Sequence, residues 1–215
     1  MKFFNKAQDP MSSFTHALGA ILGVLYLIIL QIASFVNQKD ITNHIILLIF
    51  GLSVIALYSS SAYYHYIQND NPHKTLFRKL DHSMIYVLIA GSYTPIAMHF
   101  LAPGNNLIFT LVIWGIALTG IITKIIWLNA PRFLYTLLYL LMGWALVFDI
   151  KGFSAVPLNC LSLLAIGGLC YTIGAVIYIL KKPNISANWG FHELFHIFIL
   201  LGTFMHFIAI AFFIA

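Results

Sequence analysis

A chain of 215 residues, 61% hydrophobic and only 8% charged, carries a mean hydropathy of +0.92 and a formal net charge of +5. These values exclude a soluble domain and define an integral membrane protein. The basic excess is then explained by membrane orientation and attraction to anionic head groups, with no nucleic-acid partner.

In chain order, the opening "MKFFNKAQDP" lacks a small-residue cleavage site behind a short apolar core, so the first apolar run is expected to be retained. Seven apolar stretches follow, at about 14–36, 41–64, 82–101, 107–127, 133–150, 156–180 and 191–215, each 18 to 25 residues long. A helix of ~20 apolar residues spans a bilayer with its backbone polar groups satisfied internally. Runs such as "HIILLIFGL" do not alternate as barrel strands do. The expected fold is therefore an all-α integral membrane protein, a seven-transmembrane helix bundle forming a single membrane domain over 1–215. Cys160 and Cys170 share the sixth stretch, which gives a disulfide framework no support. Gly19 and Gly23 allow close helix contact, inside the bundle or at a dimer interface; a homo-oligomer has no other support.

The connections are short except for "HYIQNDNPHKTLFRKLD", whose Asn-Asp-Asn-Pro segment signals a turn. With seven spans, the N-terminus and the second, fourth and sixth loops share a side. That side carries Lys2, Lys6, Lys74, Arg78, Lys79, Lys124, Arg132, Lys181 and Lys182, or 9 of the 11 basic residues; Lys39 and Lys151 fall opposite. Basic loops mark the cytoplasmic face, so the expectation is an N-terminus in the cytoplasm and a C-terminus outside, in a multi-pass protein of the cell membrane, the inner membrane of a bacterium.

Ionisable residues inside spans are costly and mark sites. His16 opens the first span, Ser61 and His65 close the second, Asp81 and His82 open the third, and His192, Glu193 and His196 open the seventh. In the expected topology all of these helix ends lie on the cytoplasmic side, so four helices bring polar groups to one depth. His44 and His99 fall at the opposite ends and read as interfacial side chains. Residues four apart are ~6 Å apart along a helix and point nearly the same way, so His192 and His196 can hold one ion. Ser61 and His65 have the same spacing. His206 lies ten residues beyond His196, ~15 Å deeper, and reads as an interhelical hydrogen-bonding group.

Three histidines (His65, His192 and His196), an open fourth position and the nearby carboxylate of Asp81 make the composition of a catalytic zinc site. Nitrogen ligands favour zinc over magnesium or calcium, while iron and nickel stay open. "HELFH" also satisfies the H-E-x-x-H pattern of metalloproteases, with Glu193 as general base, a short pattern with a high false-positive rate.

The motifs "SSFTHALGAILG" at 12–23, "SSSAYYH" at 59–65, "FRKLDHSMIYVLIAGSYTP" at 77–95 and "GFHELFHIFILLGTFMHF" at 190–207 carry a closer resemblance. On them the chain resembles the hemolysin III family, related to the progestin and adipoQ receptors (adiponectin receptor-like), seven-helix proteins with the N-terminus inside. The resemblance implies Zn2+ held by His65, His192 and His196, with Asp81 and Ser61 as the accompanying aspartate and serine. Related receptors carry glutamine where this chain has Glu193, which argues against a protease-type base. The receptors' Glu-x2-Asn-x3-His pattern appears here as Asp9, Ser12 and His16, which leaves His16 with a supporting or structural role.

Zinc lowers the pKa of a water it binds to ~7. Asp81 would take the proton or hold the water in line, and Ser61 would hydrogen-bond the cluster or a developing oxyanion. The expected function is a zinc-dependent hydrolase of an amide or ester bond in a membrane lipid substrate; alkaline ceramidases show a similar arrangement of residues. A hemolysin-like pore with a structural metal and a receptor-like sensor are the alternatives. Arg78 and Lys79 can bind lipid phosphate, although topology signals explain them equally well.

Overall fold

The structure is a computed structural model that describes residues 4–186 and 189–215; Lys2, counted above among the orienting cations, lies outside them. Among the described residues regular structure is helical apart from one isolated bridge between Ser186 and Trp189. The α-helices are α1 (Pro10–Val36), α2 (Ile41–Tyr66), α3 (Lys74–Phe100), α4 (Asn105–Ile126), α5 (Arg132–Gly143), α6 (Leu158–Leu180) and α7 (Phe191–Phe213). All but α5 are long and apolar enough to cross a membrane.

Helix starts follow local chemistry. Pro10 occupies the first turn of α1, where its missing N–H costs nothing. The Asp40 carboxylate accepts from the Asn43 amide and caps α2. The Glu193 carboxylate accepts from the Gly190 amide at the start of α7.

Two boundaries differ from the sequence reading. First, α3 begins at Lys74, two turns before the expected 82, so the long connection shrinks to a short turn. Its charged opening, "KTLFRK", is helical without being apolar, and a hydropathy criterion trims such a stretch. Second, the stretch expected as one helix over 133–150 ends as α-helix at Gly143 and continues as a 3-10 helix, Ala145–Asp149. Tyr93 of α3 stands at the break: its hydroxyl donates to the Gly143 carbonyl at 2.6 Å and accepts from the Leu146 amide at 3.1 Å. A side chain inserted into the backbone ladder is a known cause of such breaks.

In sequence order α1 packs on α2, α2 on α3 and α3 on α4, while α6 packs on α7 and α7 returns to α1. The short α5 lies between α6 and α3. Most buried is α3, with the run Ala90–Ala97 shielded throughout. Ile21, Ile32, Leu111, Ile126 and Phe212 face outward, as they must where the surrounding medium is lipid tails.

At the ends of α1 and α7 that meet the start of α2, the Asn43 side chain donates to the Ile214 carbonyl and accepts from Ser34, and Asn37 donates to the Ala215 carbonyl. These bonds satisfy carbonyls that the last turn of α7 leaves without helical partners. There His44 pairs with Gln31 at 2.8 Å and His99 sits in the last turn of α3, both apart from the other histidines, as expected.

Gly19 and Gly23 are packing positions inside the bundle. A Cβ on Gly19 would lie 2.7 Å from the Tyr58 ring and 2.8 Å from Leu200, and one on Gly23 would lie 2.9 Å from Val54. A Gly19→Ala change is expected to cost about 1–3 kcal/mol by overpacking. Gly115→Ala, with no atom of the described residues beyond its own stretch of helix backbone within 4 Å of the new methyl, should be neutral or stabilise by up to about 1 kcal/mol. Thermal unfolding of the two variants in one detergent checks this, and equal melting temperatures would contradict it.

Candidate metal centre

His65 in the last turn of α2 and His192 and His196 in the first two turns of α7 bring one ligand atom each within 4.8 Å of one another. The four-residue spacing on α7 aligns its pair, with ring centroids 4.5 Å apart. His65 faces the pair from α2, its Nε2 3.2 Å from the Nε2 of His192. His65 and His196 are 4% and 1% exposed.

Hydrogen bonds fix which nitrogens face inward. The Nδ1 of His65 lies 2.9 Å from the Asp9 carboxylate, so it carries the proton and its Nε2 is bare. Thr15 gives its only hydroxyl proton to the Ser12 carbonyl. The Nδ1 of His196, 3.1 Å from that hydroxyl, is therefore the donor, and its Nε2 is bare as well. Holding Nδ1 in this way is how proteins orient imidazoles toward metals. Two tetrahedral zinc ligands at ~2.05 Å have nitrogens about 3.3 Å apart, close to the 3.2 Å between His65 and His192. The donor set and its spacing fit a divalent ion with nitrogen ligands.

The first helix performs this orientation. Asp9 precedes α1, and its backbone amide also donates to the His65 carbonyl at 3.0 Å, a reciprocal clamp. The hydrogen bond from His65 holds the Asp9 carboxyl below the ordinary carboxylate range, against the opposing effect of partial burial. Since the folded value is the lower one, this contact contributes above the unfolded pKa and is lost as pH falls through the folded value. Ser12 donates to one oxygen of Glu193 at 2.6 Å while Gly190 N–H donates to the other at 2.9 Å. Both Glu193 oxygens therefore tie the start of α7 to α1, in place of the activating role of the protease pattern.

His16, 3% exposed, stacks on His196 with centroids 3.4 Å apart and rings 11° from parallel, and neither of its nitrogens has a hydrogen-bond partner among the described residues. Asp81 and Ser61 are buried beside the cluster, with the Ser61 hydroxyl near enough to favour the charged form of the Asp81 carboxyl. His82 approaches Asp81 at 3.9 Å. Ser61, Asp81, His192 and His196 line a largely apolar cavity of about 130 Å³ that reaches Trp144 and His206. His206 bonds across helices to the Leu164 carbonyl at 3.3 Å, as its depth implied.

Asp9 as partner of His65 and Thr15 as partner of His196 escaped the sequence reading. A signal existed: Asp9, Ser12 and His16 recur at three and four residues, one face of a helix.

A polytopic, all-helical membrane protein with a buried histidine cluster is the class these features define. A family profile described as Haemolysin-III related matches residues 4–207, and the chain belongs to that family. It is 32% identical over 213 residues to the Hemolysin-3 homolog of Bacillus subtilis (strain 168), covering 98% of this chain and 96% of that protein. It is 33% identical over 208 residues to the Hemolysin-3 of Bacillus cereus, covering 96% and 92%.

If the cluster takes up an added divalent ion, Asp9→Asn is expected to weaken that binding roughly 10- to 100-fold. Competition against a chromogenic chelator measures it. Unchanged affinity would separate Asp9 from the cluster.

Proposed function

We propose that the protein is a zinc-dependent hydrolase that cleaves an amide or ester bond of a membrane lipid. The observation that carries this reading is the pairing of three clustered, inward-facing imidazoles with an apolar cavity holding a buried aspartate and serine. Zinc bound by His65, His192 and His196 supplies Lewis acidity toward a carbonyl and acidifies a water. Asp81 accepts a proton at its carboxylate, and Ser61 holds that carboxylate by its hydroxyl. Leu57, Ile85, Ile89 and Phe195 of the cavity wall exclude bulk water and accommodate an acyl chain.

The reading includes one membrane domain with seven crossings, the N-terminus in the cytoplasm and the C-terminus outside, in the bacterial inner membrane. The fifth crossing is supported by length: twelve α-helical residues at ~1.5 Å and five 3-10 residues at ~2 Å give about 28 Å, close to the ~30 Å hydrocarbon core. Orientation rests on the basic loops.

The names of the two Bacillus relatives favour a second reading, a membrane-damaging protein in which a metal clamps the helices. Against a dedicated pore, the cavity wall is mostly apolar and its ionisable groups gather at one level apart from His206.

Purified protein, His192→Ala and Asp81→Asn are to be compared on a panel of acyl-amide and acyl-ester lipids. Turnover by the wild type, its loss in His192→Ala and a roughly 100- to 10,000-fold fall in Asp81→Asn are expected. Turnover that survives both changes would falsify the mechanism, and conductance by Asp81→Asn protein in planar bilayers supports the pore instead. For topology, an impermeant thiol reagent should reach Lys39→Cys from outside intact cells and Lys74→Cys only after permeabilisation. The opposite pattern reverses the orientation.

A further inference from the structure

Three cations gather at the end of the bundle that holds the histidine cluster. Lys124, in the last turn of α4, is only 3% exposed; its ammonium donates to the Leu128 carbonyl at 3.1 Å and lies 3.7 Å from the centre of the Tyr135 ring. Arg132, at the start of α5, lies 4.3 Å over the Tyr178 ring and donates to the Tyr178 carbonyl. Arg78 of α3 donates to Asn129 at 3.3 Å and is within electrostatic range of both Lys124 and Asp81.

Among the described residues none of the three has a carboxylate within 4 Å, and Asp81 acts on Arg78 and Lys124 from farther off. Among the described residues the close ion pairs all involve histidine, not lysine or arginine. Two of the nearby acids are committed elsewhere, Asp9 to His65 and Glu193 to Ser12 and Gly190, which leaves Asp81 as the carboxylate that faces these cations. Orientation in the membrane explains why cations lie on this side, but not why Lys124 is buried. A lysine that serves only orientation extends its ammonium into water. One carboxylate facing three cations leaves an excess of positive charge, which a further anion would offset.

The two tyrosines beneath these cations connect them to the cavity. Tyr135 and Tyr178 share a hydroxyl contact of 3.2 Å, and both line the cavity. Tyr135 stacks on His82, and Tyr178 lies 5.9 Å from the His192 ring. An anion at this end thus lies one aromatic ring from the cluster, with an apolar chamber below it.

We infer that Arg78, Lys124 and Arg132 form the head-group site of an anionic lipid, its phosphate at the rim between α3, α4 and α5 and its chain in the cavity. This rests on the lipid-hydrolase reading for the occupant of the cavity and specifies the substrate class as a phosphate-bearing lipid. The apolar chamber selects a phosphate carried on a chain over free phosphate.

The test measures binding without turnover, so a failure of hydrolysis leaves it intact. Purified full-length protein in detergent is titrated with a dialkyl-ether phosphatidic acid, the matching uncharged dialkyl glycerol, and inorganic phosphate. The wild type should bind the phosphatidic acid at least about tenfold more tightly than the neutral lipid, a difference of charge-assisted contacts. Lys124→Met and Arg132→Gln should each lose most of that preference while keeping the affinity for dialkyl glycerol, which also reports correct folding. Lys124→Arg should retain the preference. If Lys124→Met fails to bind either lipid, Arg132→Gln and Arg78→Gln decide. Equal wild-type affinity for the two lipids, or a preference unchanged in the arginine variants, overturns the inference. Displacement of the lipid by inorganic phosphate at matching concentration also overturns it, by assigning the site to free phosphate.

Discussion

The arrangement of the cluster depends on the grip of the first helix on the imidazoles of the second and seventh. A buried imidazole has two nitrogens, and an unpartnered one leaves the ring free to turn or adopt the wrong tautomer. Asp9 and Thr15 remove that freedom at His65 and His196 by engaging Nδ1. The Nε2 atoms of His65 and His192 then face one another at 3.2 Å. With the His65 Nε2 bare, the contact is held by one proton on the His192 Nε2, and a cation taking that proton's place would be held by both rings.

The same helix fixes the approach of α7. Ser12 and Gly190 occupy the two oxygens of Glu193, which sets the first turn of α7 against α1 before His192 and His196 appear on its inner face. Gly19 and Gly23 allow α1 to lie close enough for these short side chains to reach across. Close helix packing and polar bridging are therefore one design: small residues bring the backbones together, and hydroxyls and carboxylates hold the rings. The stacking of His16 on His196 adds a flat wall to the site.

Much of this was legible in the sequence, and for a physical reason. Apolar runs must be long to span a bilayer, so α1, α2, α4, α6 and α7 are visible to within a few residues. The i, i+4 spacing put His192 and His196 on one face, and shared depth added His65. Less visible was whatever depends on contacts between distant segments. The break after Gly143 comes from Tyr93, fifty residues earlier, and no local propensity announces it. The early start of α3 is hidden because its first two turns are charged. Asp9 entered the sequence reading only as part of the receptor-like pattern with Ser12 and His16, because its role lies in a partner on another helix. The signal that hydropathy misses is the polar periodicity of Asp9, Ser12 and His16.

How α7 is held bears on whether a metal at its start would be a structural clamp. At its far end the helix is tied through the Ile214 and Ala215 carbonyls to Asn43 and Asn37. In its middle, the Thr203 hydroxyl hydrogen-bonds with the hydroxyls of Tyr58 at 2.7 Å and Tyr171 at 3.0 Å, linking α2, α6 and α7. At its start, Glu193 is bound to α1 and caps its own helix. Three levels of polar attachment, added to apolar packing against α6 and α1, fix the helix through protein contacts alone. A metal that served only to clamp would duplicate bonds already made. On the proposed hydrolase reading, the inward-facing imidazoles beside Asp81, Ser61 and an apolar chamber have a use that bracing alone would not give them.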